Sequence, residues 1–201
     1  VLLASLILHE LGHAYAAWRL GDPTAKMLGR LTLNPVAHLD GLGTATLAVT
    51  AFASTAVPGA NVIFGWAKPV PVIQEYFPSR RRAMAIVAVA GPLANVALAI
   101  VLAFTVVHAG LTGRAQVVLL NALGLNIALV LFNLLPIPPL DGARLVGALL
   151  PDGANRRWEL LDRYGVFAIL ALVLLVRGPA EDAVAAALVG TARFLLRLVG
   201  G

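Results

Sequence analysis

Cysteine is absent from the 201-residue chain. No disulfide framework can staple it and no thiolate zinc site can form. Charge is scarce: Asp, Glu, Lys and Arg make up 12% of the residues, against about 25% in soluble domains. With 60% hydrophobic residues and a mean hydropathy of +0.88, that scarcity excludes an ordinary soluble globule and implies a polytopic membrane protein. No polar linker divides the chain, so it reads as one domain, 1–201. Internal repeats and low-complexity tracts are also lacking. The net charge of +5 fits loop Lys and Arg near lipid headgroups. The aromatic-plus-basic pattern of nucleic-acid binders is missing, and so are the basic start and cleavage site of a signal peptide.

What is present is a series of apolar runs. Residues 1–20 make a helix of roughly 30 Å, just enough to span a bilayer. Further runs cover 42–62, 83–109, 117–135 and 164–176, while 183–199 either spans or lies on the surface. Arg80-Arg81-Arg82 marks a membrane boundary ahead of the clearest run. The pattern predicts an all-α polytopic membrane protein with about five to six membrane helices. Two pieces predict a small interfacial β-element beside them. Residues 26–33 alternate polar and apolar, and residues 64–72 carry Pro69 and Pro71, which suit an extended edge. Lys and Arg divide almost evenly between the two sides, so membrane orientation does not follow from them.

Within the first run stands His9-Glu10-Leu11-Gly12-His13. Residues four apart share a helix face, so His9 and His13 can offer ring nitrogens to one metal ion. Imidazole suits zinc, and a catalytic zinc takes three protein ligands plus an open position. Glu10 is placed to take a proton from water rather than to ligate. A carboxylate at bilayer depth costs roughly 2.5–3.5 kcal/mol, so an acid in an apolar run defaults to function. For the third ligand, His38, Asp40, His108 and Asp141 all remain candidates. Asp141 is favoured because Pro136, Pro138 and Pro139 hold the backbone just before it off the helical path. Asn133 is an amide donor in the last helical turns ahead of it, suited to an oxyanion or a substrate backbone. Asn95, four residues after Gly91, needs a buried partner on another helix. A transporter-like protein also uses buried Glu, His and Asn but has no need of this helical pair plus a remote Asp, while a catalytically silent scaffold that keeps the ligands is separated from a protease by a cleavage assay.

These residues resemble the site-2 proteases, the intramembrane zinc metalloproteases. The likeness lies in His9-Glu-Leu-Gly-His13 with Asn133-Leu-Leu-Pro-Ile-Pro-Pro-Leu-Asp-Gly142 downstream. Gly21-Asp-Pro-Thr-Ala-Lys26, Gly29-Arg-Leu-Thr-Leu-Asn-Pro35, Phe64-Gly-Trp-Ala-Lys-Pro-Val-Pro71 and Ala90-Gly-Pro-Leu-Ala-Asn95 are similar to segments of its compact prokaryotic members without a PDZ domain. The resemblance implies one zinc per chain held by His9, His13 and Asp141. It implies Glu10 as general base and Asn133 as an aid at the reacting centre. The expected substrate is a transmembrane segment of another membrane protein, cut within the lipid bilayer of a prokaryotic cell. Family members usually carry a membrane helix before the His-Glu helix, so the chain is expected to lack that helix. Substrate identity, trigger and oligomeric state do not follow from the sequence.

Overall fold

The protein is seen in a computed structural model that describes residues 1–56, 68, 70–165, 167–169 and 179–200. Helix α1, Leu2–Arg19, is built from Leu, Ile and Ala with no proline to interrupt it. Gly21 stops it in a left-handed conformation (φ 115°). The amides of Gly21 and Asp22 then bond back to Trp18 and Ala17, closing the last turn. Helix α2, Thr24–Met27, is a single turn entered from Pro23. A 3-10 turn at Pro35–His38 is capped by the Asn34 side chain, and α3 covers Gly41–Ala56.

Helix α4, Arg80–His108, is the axis of the fold and packs against α1, against α5 (Gly113–Asn133), against α6 (Asp141–Leu149) and against α8 (Pro179–Gly200). Helix α7, Asp152–Glu159, follows α6 on the surface. Where α1 meets α4 the backbones nearly touch: a methyl on Gly12 would press into the Ala90 carbonyl at 2.6 Å. Membrane helices associate through such small residues, because lipid tails supply no hydrophobic drive between them.

Among the described residues, three helices are long and apolar enough to cross a membrane: α4, α5 and the Asp182–Gly200 part of α8. The expected run 1–20 is α1, whose polar residues lower its hydropathy. The expected runs 42–62 and 164–176 lie partly outside the described residues.

The expected strand at 26–33 is corrected. Residues 24–27 are helical, and the amides of Met27, Leu28 and Arg30 bond to Pro23, Thr24 and Ala25. The alternation there did not track burial, since Met27, Leu28 and Leu33 are all exposed. Most of 64–72 lies outside the described residues. Val70, Val72 and Ile73 are described, and no sheet is present among the described residues.

Candidate metal centre and active site

Helix α1 presents His9 and His13 one turn apart, both buried against α4. Each ring is latched through its Nδ1. His13 Nδ1 donates to the Val87 carbonyl at 2.7 Å. His9 Nδ1 donates to Asn95 Oδ1 at 2.6 Å. With Nδ1 carrying the proton, each Nε2 keeps a free lone pair, the form a metal requires.

Asp141 arrives from 128 residues away in sequence at the N-terminus of α6. Its Oδ2 lies 3.1 Å from both His Nε2 atoms, and the two nitrogens are 3.0 Å apart. The three donors make a near-equilateral triangle. Ligands about 2.0–2.1 Å from a tetrahedral ion sit roughly 3.3 Å from one another, so the triangle matches the base of a zinc tetrahedron after slight expansion. A cluster of three donors with no cation among them would also be a poor structural element, since one carboxylate cannot satisfy two lone pairs without a proton or an ion.

The helix behind the triangle leaves room for an ion. A methyl built on Gly91 of α4 would fall on His13 Nε2 and crowd His9 Nε2. Glycine at 91 is therefore a space reserved at the donor atoms. Gly142 also keeps a close approach open, since a methyl there would collide with the Leu134 and Leu135 carbonyls. Glycine lets α6 tuck under the end of α5, which brings Asp141 to the histidines.

Behind His9 runs a chain of buried amides. Asn95 Nδ2 donates to the Ser5 carbonyl at 3.2 Å and to Asn126 Oδ1 at 2.8 Å. Asn126 Nδ2 donates to Ser5 Oγ and to the Ala122 carbonyl. Each amide is oriented by the next, so the network has one consistent arrangement and joins α1, α4 and α5 at His9.

Glu10 is half-buried beside the triangle, and its Oε2 accepts the Val70 N–H at 3.1 Å. Val70 is itself buried with Ala14 and Ala25. A cleft of about 910 Å³ opens from there, lined by Val70, Val72, Met84, Ala143 and Arg144 among others. Val70 thus links Glu10 to the wall of this cleft.

The other candidates go elsewhere. Asp40 accepts the Gly43 N–H and caps α3. His38 is buried, and its Nε2 donates to the Thr32 carbonyl. His108 Nε2 donates to the Val199 carbonyl at the far end of α4. Asn133 ends α5, and its Nδ2 donates to the Leu129 carbonyl of its own helix. Sequence reasoning saw that Asn95 needed a partner, but not that the partner is His9. Nothing local in the sequence marks Gly91, Gly142 or Asp22 for the places they take, because each depends on a contact with another element.

A model of peptidase family M50 matches residues 1–121. The Bacillus subtilis protein named "Putative zinc metalloprotease YwhC" is 38% identical over 186 residues, covering 88% of this chain and 80% of its own. "Putative zinc metalloprotease Rip2" of Mycobacterium tuberculosis strain H37Rv is 37% identical over 187 residues, covering 88% of this chain and 65% of its own. Its Mycolicibacterium smegmatis counterpart is 34% identical over 189 residues, with 89% and 65% covered. The chain thus spans about 65% of the length of these mycobacterial relatives. No solved structure matches. With a helical His-Glu-Leu-Gly-His motif, a remote Asp closing a three-donor triangle, and apolar helices around them, the chain belongs to peptidase family M50, the site-2 proteases, and is a membrane zinc metalloprotease.

Proposed function

We propose that the protein hydrolyses a peptide bond within or beside a transmembrane segment of another membrane protein, with His9, His13 and Asp141 holding one zinc ion. The observation that carries this reading is the 3.0–3.1 Å triangle of three buried donor atoms with Glu10 next to it. Zinc, when bound, supplies the charge that polarises a scissile carbonyl and makes water acidic enough to be deprotonated near neutral pH. Glu10 takes that proton and returns it to the leaving amine. The Val70 N–H holds the Glu10 carboxylate in place, and the cleft lined by Val70 offers a route for water. Asn133 stands close in sequence to the Pro-rich turn before Asp141, and its amide assists substrate binding once it leaves the Leu129 carbonyl.

A helical substrate hides its amides, so it must unwind before cleavage. The extended piece at Val70 and Val72 supports pairing with the unwound substrate, because it lies against Glu10. The segment 26–33 has no such role, being helix and turn.

The test is cleavage of a membrane-spanning peptide by zinc-loaded protein in detergent, with the cut site read by mass spectrometry. Wild type should cut inside or next to the apolar stretch. Glu10→Ala should retain about one zinc per chain and lose cleavage by at least a hundredfold. Cleavage by Glu10→Ala at the wild-type rate would overturn the assignment of the base.

A further inference from the structure

Asp22 is fully buried, although it sits in the tight turn after α1. A buried carboxylate is costly unless its oxygens are satisfied. Here both are, each by a backbone amide. Oδ1 accepts the Thr24 N–H at 2.9 Å, which is the local turn. Oδ2 accepts the Ile73 N–H at 2.7 Å, 51 residues away. A residue needed only for the turn would use the first bond and leave the second oxygen to solvent.

The second bond ends on the segment that touches the catalytic base. Three amides of this segment are tied down in succession. Lys68 N–H donates to the His38 carbonyl at 2.9 Å, Val70 N–H to Glu10 Oε2 at 3.1 Å, and Ile73 N–H to Asp22. Pro69 and Pro71 have no amide to give. Asp22 is in turn locked to α1 through its own N–H on the Ala17 carbonyl. The helix that carries Glu10 therefore also carries, at its C-terminal end, the anchor for the strap lying across Glu10.

We propose that Asp22 is a positioning residue for the reaction, tethering residues 70–73 to the end of α1 so that the Val70 N–H meets the Glu10 carboxylate at a fixed place. This rests on the reading of Glu10 as the base. Asp22 acts through Ile73 and Val70 and does not touch the reacting atoms. Asn at position 22 offers one acceptor oxygen where two amides need one each, so one bond is lost with little change of shape. Ile73→Pro removes the same bond from the other side and leaves the Thr24 bond in place. Ile73 is extended (φ −101°, ψ 106°), so proline there also draws φ toward about −65°, and circular dichroism checks that the variant keeps its helices.

Hydrogen exchange of zinc-loaded protein in detergent reads the tether directly. Between Pro69 and Pro71 the only exchangeable amide is that of Val70, so its exchange is resolved. Asp22→Asn and Ile73→Pro should each speed it at least tenfold. In the cleavage assay each should lower kcat by about tenfold or more, the scale of a displaced catalytic group. KM should change less than threefold and zinc content should be unchanged. The double variant should be no worse than either single one, because both remove one bond. Unchanged Val70 exchange in both variants, wild-type kcat in Ile73→Pro, or additive losses would overturn the proposal. If wild type cuts no peptide, the proposed function fails while exchange still decides the tether. If Asp22→Asn does not fold, Ile73→Pro carries the test alone.

Discussion

Beyond its three opening arginines, the two halves of α4 are alike in apolar composition and unlike in what they hold. One buried row runs down the helix at four-residue spacing: Ala83, Val87, Gly91, Asn95, Ala99 and Ala103. Rows of this kind are inclined to the helix axis, so they wind around it. The upper part of the row meets α1, where Val87 and Asn95 latch the two histidines and Gly91 clears the space between them. The lower part meets α5 and α8, where Ala99 and Ala103 pack with Leu123 and Ile127 and with Leu188, Ala192 and Leu195. Hydropathy does not separate the halves. What separates them is what the partner helices bring against the row: ring nitrogens and a serine on one side, and apolar side chains at Ala99 and Ala103 on the other.

Substitutions along the row should break this contrast or sharpen it. The largest effect is expected at Gly91. Gly91→Ala places a methyl on the donor nitrogens, so zinc content measured by metal analysis should fall to near zero with the helices still formed. Full zinc occupancy in this variant would mean the triangle is not the metal site. Next comes Asn95→Ala. It unlatches His9, and losing the partner of a metal-bound histidine typically costs 10–100-fold in metal affinity. A competition titration with a zinc chelator measures that loss, and unchanged affinity would show that the amide network is only structural.

The lower half should answer differently. Ala103→Leu overfills a fully buried position and should destabilise by about 1–3 kcal/mol, seen as earlier thermal unfolding in detergent. Its zinc affinity should stay at the wild-type level, which separates packing from metal binding. The smallest effect is expected at Asn126, one step removed from His9. Asn126→Ala should cost about 0.6 kcal/mol, the mean for hydrogen bonds between membrane helices, and shift zinc affinity less than threefold. A loss as large as that of Asn95→Ala would instead make the network one cooperative unit.

Much of the centre was legible because its signals are local. The four-residue spacing of His9 and His13 needs only a helix, and the uncharged runs that became α4 and α5 need only hydropathy. Asp141 stood out because three prolines precede it within six residues. The strand expected at 26–33 failed for an equally physical reason. Period-2 alternation marks a strand only when one face is buried, and here the chain turns back on itself through local amide bonds. Asn133 was chosen for its place before the Pro-rich turn, and in the structure its amide is committed to its own helix.

The sequence by itself determined a membrane protein and a helical pair of histidines able to share one metal ion, with an acid between them, and it favoured Asp141 as the third donor. Those follow from composition and from contacts within one turn of helix. Only the tertiary structure decided which ring nitrogens are free, because the Nδ1 partners of His9 and His13 lie 86 and 74 residues away. It also decided that Gly91 clears space at the donor nitrogens, and that the Glu10 carboxylate is held by an amide 60 residues on. Spacing along a chain reports which side chains share a face; which atom of a side chain is used depends on what packing brings against it.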